Sequence, residues 1–80
     1  MFYVYILECS DASLYIGSTN DIARRLHAHN NLKSGARYTK ARRPVVLKYQ
    51  EEFETQGEAL SREAALKKLK REEKMKLFQS

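Results

Sequence analysis

Several features are scarce or missing in this chain of 80 residues, and each absence excludes a class of protein. A single cysteine, Cys9, rules out an internal disulfide framework and fits a reducing, cytoplasmic compartment. No apolar run approaches the roughly 20 residues of a membrane span, and no basic flank with a long apolar region marks a signal peptide. We therefore expect one cytoplasmic domain, residues 1–80, without a membrane partner.

The sequence also lacks the common signatures of catalysis and cofactor binding. It contains no serine–histidine–acid set, no phosphate-binding glycine loop and no clustered cysteines. His27 and His29 give only a weak metal signal, because residues two apart on a helix do not face each other. No small-molecule cofactor is expected on these grounds.

Acidic residues are missing from the centre of the chain. Residues 24–48 hold eight lysines and arginines and no acid, residues 1–23 hold three acids and no lysine or arginine, and residues 49–80 hold seven of each. The net charge of +5 therefore belongs to the central block, which indicates either a nucleic-acid contact or a solubilising loop. The candidate contacts are Lys33, Arg37, Tyr38, Lys40, Arg42 and Arg43. Among them, Tyr38 could stack on a base or sugar, or it could anchor this segment to the core.

Alternating side chains predict an N-terminal hairpin. Residues 2–7 and 14–17 alternate with the period of pleated strands, and a polar turn centred near Ser10 joins them. This turn places Tyr5 and Tyr15 opposite each other on one sheet face, about 5 Å apart. The two phenols then either pack as a cross-strand pair or form part of a site.

The segment after the hairpin predicts a helix from about Asp21 to His29, with Ser18 and Asp21 as a near capping box. Arg25 and His29 lie one turn apart at the edge of its apolar stripe. Arg25 is either a snorkelling surface cation or a group that points towards the sheet. His29 is either a helix-end residue favoured by the dipole or a functional group.

Later segments predict one more strand and two more helices. The strand spans about residues 45–53, and the next helix spans about residues 55–70, with Thr55 and Glu58 as a capping box. Residues 71–80 form a short terminal helix whose apolar side chains pack back on the domain. The predicted fold class is α/β in the broad sense and α+β more narrowly: a small three-stranded sheet with an N-terminal hairpin, flanked by helices in the order β-β-α-β-α-α.

Glu63 is an unusual glutamate, because apolar residues flank it on its own helix face. Ala59, Leu60 and Leu66 stand three or four residues away from it. A carboxylate at the margin of a core needs a partner, because burying it alone is costly. That partner is either an arginine, in a structural ion pair, or a metal ion.

Five side chains on inner or marginal faces suit the hydrolysis of a phosphodiester: Tyr5, Tyr15, Arg25, His29 and Glu63. Glu63 could hold one Mg²⁺ or Mn²⁺ ion together with waters and a phosphate oxygen. Arg25 could bind two phosphate oxygens at once. A tyrosine could take a proton from the attacking water, but its ordinary pKa of about 10 would require cationic neighbours or a metal.

The order of these motifs resembles the GIY-YIG nuclease superfamily. Tyr3-Val4-Tyr5 is followed by Tyr15-Ile16-Gly17, then by a helix that carries Arg25 and a later helix that carries Glu63. The resemblance implies a small three-stranded sheet flanked by helices, and cleavage of DNA that depends on a divalent metal. It also implies that Glu63 binds the metal, and that the two tyrosines, Arg25 and His29 occupy the other site positions of the family.

Two departures from the family pattern leave the function open. Ser18 stands where repair nucleases often carry a lysine, and no asparagine follows the helix of Glu63 within residues 67–75. The first hypothesis is a metal-dependent endonuclease, with branched or damaged DNA as the suspected substrate. The second is a nucleic-acid-binding module of the same fold with weak or no catalysis, and a third is a protein-interaction domain that uses the terminal helix. A monomer is favoured, and a strict monomer would weaken the third hypothesis.

Overall fold

The computed structural model describes residues 1–32 and 37–79, so the predicted contact Lys33 lies outside the described residues. Its elements in chain order are β1 (Phe2–Glu8), β2 (Leu14–Thr19), α1 (Ile22–Asn31), α2 (Arg37–Lys40), β3 (Val46–Phe53), α3 (Gln56–Lys67) and α4 (Arg71–Met75). The predicted α+β class is confirmed, and the short helix α2 is an addition to the predicted order. Among these helices, none is both long and apolar enough to cross a membrane.

Strand β1 lies at the centre of the sheet between β2 and β3, and both pairings are antiparallel. Its register sets Tyr5 opposite Gly17 and Leu7 opposite Tyr15. The prediction that Tyr5 and Tyr15 lie directly opposite each other is therefore wrong, although the two remain diagonal neighbours on one face. The pairing is shifted by two residues, which keeps every side chain on its predicted face because the strand period is two.

The turn between β1 and β2 explains this shift. The Asp11 carboxylate accepts hydrogen bonds from the backbone N–H of Ser13, at 3.0 Å, and from its hydroxyl group. The N–H of Cys9 donates to the carbonyl of Ser13 at 2.8 Å, and Ala12 adopts a positive φ of 68°. These local bonds centre the turn on Asp11, one residue later than the predicted centre.

The two faces of the sheet bury separate apolar clusters. The face that we call the α3 face contains Val4, Ile6 and Ile16, packed with Ala59 and Leu66. The opposite face, which we call the α1 face, contains Tyr5, Leu7, Cys9 and Val45, packed with Ile22 and Leu26. The terminal segment packs back as predicted, because Leu77 and Phe78 contact the cluster of the α3 face.

Of the two capping boxes predicted at helix N-termini, the one at α3 is confirmed and the one at α1 is wrong. Helix α1 begins after Asp21, whose carboxylate accepts the backbone N–H of Arg24 at 3.1 Å. The predicted box of Ser18 with Asp21 is wrong, because Ser18 lies within β2 and its backbone belongs to the sheet. The capping box of Thr55 and Glu58 at the start of α3 is confirmed, with both reciprocal hydrogen bonds present.

Candidate active site

The candidate site begins with a tyrosine that crosses the edge strand of the sheet. Tyr5 lies opposite Gly17 in β2, and β2 is an edge strand. A Cβ atom built on Gly17 would lie 2.7 Å from Cζ of Tyr5 and 3.2 Å from Cε2 of Tyr15. Gly17 therefore makes room for the Tyr5 ring over β2, where any larger residue would displace it.

His29 lies in the last turn of α1 and forms a hydrogen bond with the Tyr5 hydroxyl. The side chain is completely buried, and its Nε2 lies 2.8 Å from the Tyr5 hydroxyl oxygen. Its Nδ1 lies 2.8 Å from Oγ1 of Thr39, which is completely buried as well. The ring of Tyr15 approaches the imidazole edge-on, with 5.1 Å between ring centroids. The structure thus brings Tyr5, Tyr15 and His29 together and withdraws His29 from water.

Burial sets the protonation of this pair. It lowers the pKa of His29 from 6.5 to about 4, and the cations Arg25 and Arg43 act in the same direction. Burial also raises the pKa of Tyr5 from 10.0 to about 12, although a hydrogen bond from Arg25 opposes this change. Both groups are therefore neutral near pH 7. The cationic neighbour Arg25 does not lower the pKa of Tyr5 enough to ionise its hydroxyl group at that pH.

Arg25 joins the tyrosine to an open cleft. The interaction of its guanidinium with the Tyr5 hydroxyl opposes the rise of the Tyr5 pKa, and Arg25 lines a small apolar pocket together with Leu26 and Leu47. The same residue also lines a cleft of about 440 Å³ along α1, beside the exposed side chains of Arg24 and His27. Arg25 therefore points towards the sheet and borders solvent, which agrees with one of its two predicted placements.

Glu63 approaches the same edge from α3. Its side chain is 17% exposed and accepts a hydrogen bond from Nζ of Lys67 at 2.8 Å, which raises the pKa of Lys67. The predicted ion pair is present, but its cation is a lysine one helical turn later and not an arginine. Leu60, 49% exposed, does not share the buried face that the sequence suggested. The negative charge of Glu63 acts on Tyr5 and adds to the rise of that pKa.

The chemistry of these donors decides which metal they fit. Within residues 1–32 and 37–79, no three His, Cys, Asp or Glu side chains converge as a metal cage. Glu63 contributes one carboxylate, which suits Mg²⁺ because that ion often takes one or two protein carboxylates and completes its shell with water and substrate phosphate. A structural zinc site, with its four nitrogen or sulfur ligands, does not fit this donor set.

Two arginines of the basic block have partners inside the fold. Arg43 donates to the carbonyl oxygens of His29 and Leu32, both at 2.6 Å, at the end of α1. Arg42 donates to Asp11 at 3.1 Å and to the carbonyl of Tyr38 at 2.9 Å. Both guanidinium groups therefore hold loops in place, and their predicted contact with nucleic acid stays a prediction.

Tyr38 anchors the basic block to the site. Its ring stacks on Tyr15 with 5.9 Å between centroids and an interplanar angle of 29°. The guanidinium carbon of Arg42 lies 4.0 Å from the centre of the Tyr38 ring. This packing is the anchor that the sequence left open as one alternative. Arg37 and Lys40, on the same short helix, are exposed.

Sequence reasoning missed three residues of this site. Thr39 binds His29 from a polar segment that has no periodic pattern, so no signal in the sequence could have selected it. Gly17 was quoted only as part of a motif, and its role depends on the ring that crosses it. Lys67 could have been found, because it stands four residues after Glu63 on a predicted helix, where an acid and a base pair.

Comparison with known proteins identifies the family to which the chain belongs. The family model described as the GIY-YIG catalytic domain matches residues 1–76. The chain belongs to the GIY-YIG family. A UPF0213 protein of Staphylococcus saprophyticus is 53% identical over 76 residues, which are 95% of this chain and 92% of that protein. A UPF0213 protein of Clostridium perfringens is 54% identical over 80 residues, which are 100% of this chain and 85% of that protein.

A solved structure of a UPF0213 protein agrees with this GIY-YIG assignment. The solution NMR structure of the Bacillus halodurans protein has a TM-score of 0.60 and 42% identity, and the match covers 96% of this chain and 82% of that chain. The resemblance predicted from the motifs is therefore confirmed. The GIY-YIG domain indicates a nuclease, and with it a nucleic-acid substrate.

Proposed function

We propose that this GIY-YIG protein is a metal-dependent endonuclease that hydrolyses DNA phosphodiester bonds. The observation that carries the proposal is the buried hydrogen bond between Tyr5 and His29, with the charges of Arg25 and Glu63 acting on Tyr5 and Arg25 lining an open cleft. Branched or damaged DNA is the expected substrate. The expected working form is a monomer in the cytoplasm.

Positive charge on both sides of the tyrosines supports a polyanionic substrate. On the α1 side, the cleft of about 440 Å³ carries two cations, Arg24 and Arg25, and one carboxylate, Asp21, so its net charge is positive. On the α3 side, a groove of about 220 Å³ is lined by Tyr15, Lys67 and Lys74. A strand that crosses the site would meet cations before and after the scissile phosphate, and could stack a base on an aromatic ring.

The neutral Tyr5–His29 pair suits proton transfer from water. As the water oxygen bonds to phosphorus, its proton passes to the Tyr5 oxygen while the Tyr5 proton moves to Nε2 of His29. The bond from phosphorus to the leaving oxygen breaks in the same displacement, and the leaving oxygen takes a proton from solvent. Arg25 donates to phosphate oxygens and offsets the growing negative charge, and Tyr15 orients the reactants. A bound phosphate also screens the charge of Arg25, one of the cations that lower the pKa of His29.

Glu63 would hold the ion, expected as one Mg²⁺ or Mn²⁺. When bound there, the ion supplies positive charge that stabilises the phosphate and the leaving oxygen. Lys67 has to move away from Glu63 to open this carboxylate. Its ammonium group then lies in the groove of about 220 Å³, where it can pair with substrate phosphate.

The test is cleavage of a supercoiled plasmid and of a branched duplex with Mg²⁺ or Mn²⁺. Glu63→Gln and Arg25→Gln should each reduce cleavage at least about 100-fold, the usual cost of removing a group that stabilises developing charge. Glu51→Gln, a matched change on the α3 face, should leave the rate unchanged. Metal-dependent cleavage by Glu63→Gln at the parental rate would contradict the proposal.

One observation favours a second function, a nucleic-acid-binding module with weak or no catalysis. Lys67 already neutralises Glu63, so the carboxylate has a partner without a metal. In that case cleavage by the parent is weak or absent, and none of the variants reduces it about 100-fold. Binding would fall steeply with salt and would persist in Glu63→Gln.

A further inference from the structure

The two ring nitrogens of His29 have different partners in a dry environment. The Tyr5 hydroxyl lies 2.8 Å from Nε2, and the Thr39 hydroxyl lies 2.8 Å from Nδ1. His29 and Thr39 are completely buried, and Tyr5 is 3% exposed. A neutral imidazole carries one N–H donor and one acceptor nitrogen, so the two hydrogen bonds must run in one direction through the ring.

The Tyr5 proton decides that direction. This buried proton must be donated, and the acceptor within reach is Nε2 of His29, 2.8 Å away. If Nε2 carried the hydrogen, the Tyr5 proton would lose this acceptor. Nε2 is therefore bare, and the imidazole hydrogen sits on Nδ1 and points at Oγ1 of Thr39.

We propose that Thr39 is a positioning residue that holds His29 as the Nδ1–H tautomer and so keeps Nε2 open to the Tyr5 proton. Thr39 lies on α2, and its hydroxyl oxygen accepts the hydrogen on Nδ1 of His29. The same helix carries Tyr38, whose ring stacks on Tyr15. Only the effect of Thr39 on cleavage rests on the proposed function. The tautomer itself is a property of the folded protein.

The consequence of losing the hydroxyl follows from its burial. Valine fills the same volume as threonine without an acceptor, so Thr39→Val would leave the Nδ1 hydrogen unpaired in a dry site, which is costly. The Nδ1–H form then has only one of its two hydrogen bonds, so its advantage over the Nε2–H form becomes smaller and part of the His29 population moves to Nε2–H. Thr39→Ser keeps the hydroxyl and should keep the parental tautomer.

The chain contains an internal reference for the measurement. His27 is exposed, and its Nδ1 lies 3.2 Å from the amide nitrogen of Asn31, which can only donate. His27 therefore carries its hydrogen on Nε2. The two histidines of the folded protein should show opposite tautomers in one spectrum.

The experiment records long-range ¹H–¹⁵N correlations of both imidazoles near pH 7 in the parent, Thr39→Ser and Thr39→Val. We expect Nδ1–H at His29 in the parent and in Thr39→Ser, and a larger share of Nε2–H in Thr39→Val. Nε2–H as the main form of His29 in the parent overturns the proposal, and so does an Nε2–H share in Thr39→Val that equals the parental share. If Thr39→Val does not fold, the parental spectrum with His27 as reference still decides whether the predicted tautomer exists.

A cleavage assay separates this inference from the proposed function. Thr39→Val should reduce kcat by the same factor as its Nδ1–H population falls, with KM for DNA unchanged, and Thr39→Ser should restore most of kcat, because only the bare Nε2 accepts the Tyr5 proton. If the parent does not cleave DNA, the proposed function fails while the tautomer is still decided by the spectra. If the tautomer of His29 changes in Thr39→Val as predicted but kcat stays at the parental value, Thr39 has no positioning role in cleavage.

Discussion

The two faces of the sheet each carry a tyrosine network, and the networks behave differently. On the α3 face, Glu51 accepts three hydrogen bonds from Arg62, at 2.9, 3.2 and 3.0 Å, and another from the Tyr49 hydroxyl. On the α1 face, Tyr5 meets a neutral His29 with Thr39 behind it. Both networks connect a strand tyrosine to a helix.

Solvent and charge explain the difference. The hydrogen bond from Arg62 lowers the pKa of Glu51, and Glu51 in turn raises the pKa of Arg62, so both stay charged as a structural ion pair at a partly exposed position. Burial instead pushes the pKa of His29 down and that of Tyr5 up, so both stay neutral and are joined by a hydrogen bond. A strand tyrosine therefore belongs to a charged ion-pair network on one face and to a neutral hydrogen-bonded pair on the other.

The largest expected effect is a loss of stability in acid that comes from His29. The unfolded chain protonates this imidazole near pH 6.5 and the folded protein only near 4, so the unfolded state binds more protons between these values. The contribution is complete above pH 6.5 and is lost as the pH falls to 4, by about 3 kcal/mol. Urea unfolding between pH 7 and 4 measures it.

His29→Gln is the reference for that experiment. The variant removes the titrating group, so its stability should fall less steeply over the same range, with carboxylates contributing equally to both proteins. If the free energy of unfolding changed equally with pH in the variant and the parent, His29 would be accessible to water. The contrast between the two faces would then disappear.

The next largest effect is expected from filling the space that Gly17 leaves for the Tyr5 ring over β2. Gly17→Ala would force Cβ into the Tyr5 ring, so we expect about 1–3 kcal/mol of destabilisation and a loss of cleavage as Tyr5 leaves His29. Gly57→Ala is the control, because nothing lies within 4 Å of its Cβ and alanine favours helix α3 by about 0.5–1 kcal/mol. Thermal unfolding and plasmid cleavage measure both. Full cleavage by Gly17→Ala would show that the ring can move without cost.

A smaller effect is expected on the α3 face. Arg62→Gln breaks the ion pair with Glu51, and since the arginine side chain is 37% exposed we expect a loss of at most about 1 kcal/mol. Cleavage should not change. Chemical denaturation and a cleavage assay test the two halves of this prediction, and a reduced kcat would place the α3 network within the active site.

The smallest effect concerns a single phosphate contact. Arg24→Gln should reduce the slope of log binding constant against log salt concentration by about one, because one counterion fewer is released. Lys48→Gln is a matched control, since Lys48 belongs to the same basic block but lies 3.8 Å from Glu8 on the sheet. Fluorescence anisotropy at several salt concentrations measures both slopes, and equal slopes would remove the α1 cleft from the DNA path.

Local chemistry made much of the fold predictable. The capping box of Thr55 and Glu58 depends on residues three apart, and the alternation of the strands depends on residues two apart. Arg25 and His29 were predicted at the edge of a buried stripe from helical spacing alone. The strand register was wrong, because it depends on the hydrogen bonds of the Asp11 turn, which the composition of the turn does not specify.

The sequence by itself determined the basic block, the alternating strands and the GIY-YIG motifs, because these depend on neighbours along the chain. The tertiary structure alone decided that Thr39 meets His29, that Arg43 binds the end of α1 and that the Tyr5 ring crosses Gly17. Each of these contacts joins residues at least ten positions apart. The physical reason is that burial, which leaves Tyr5 and His29 neutral, exists only after the sheet and α1 have packed together.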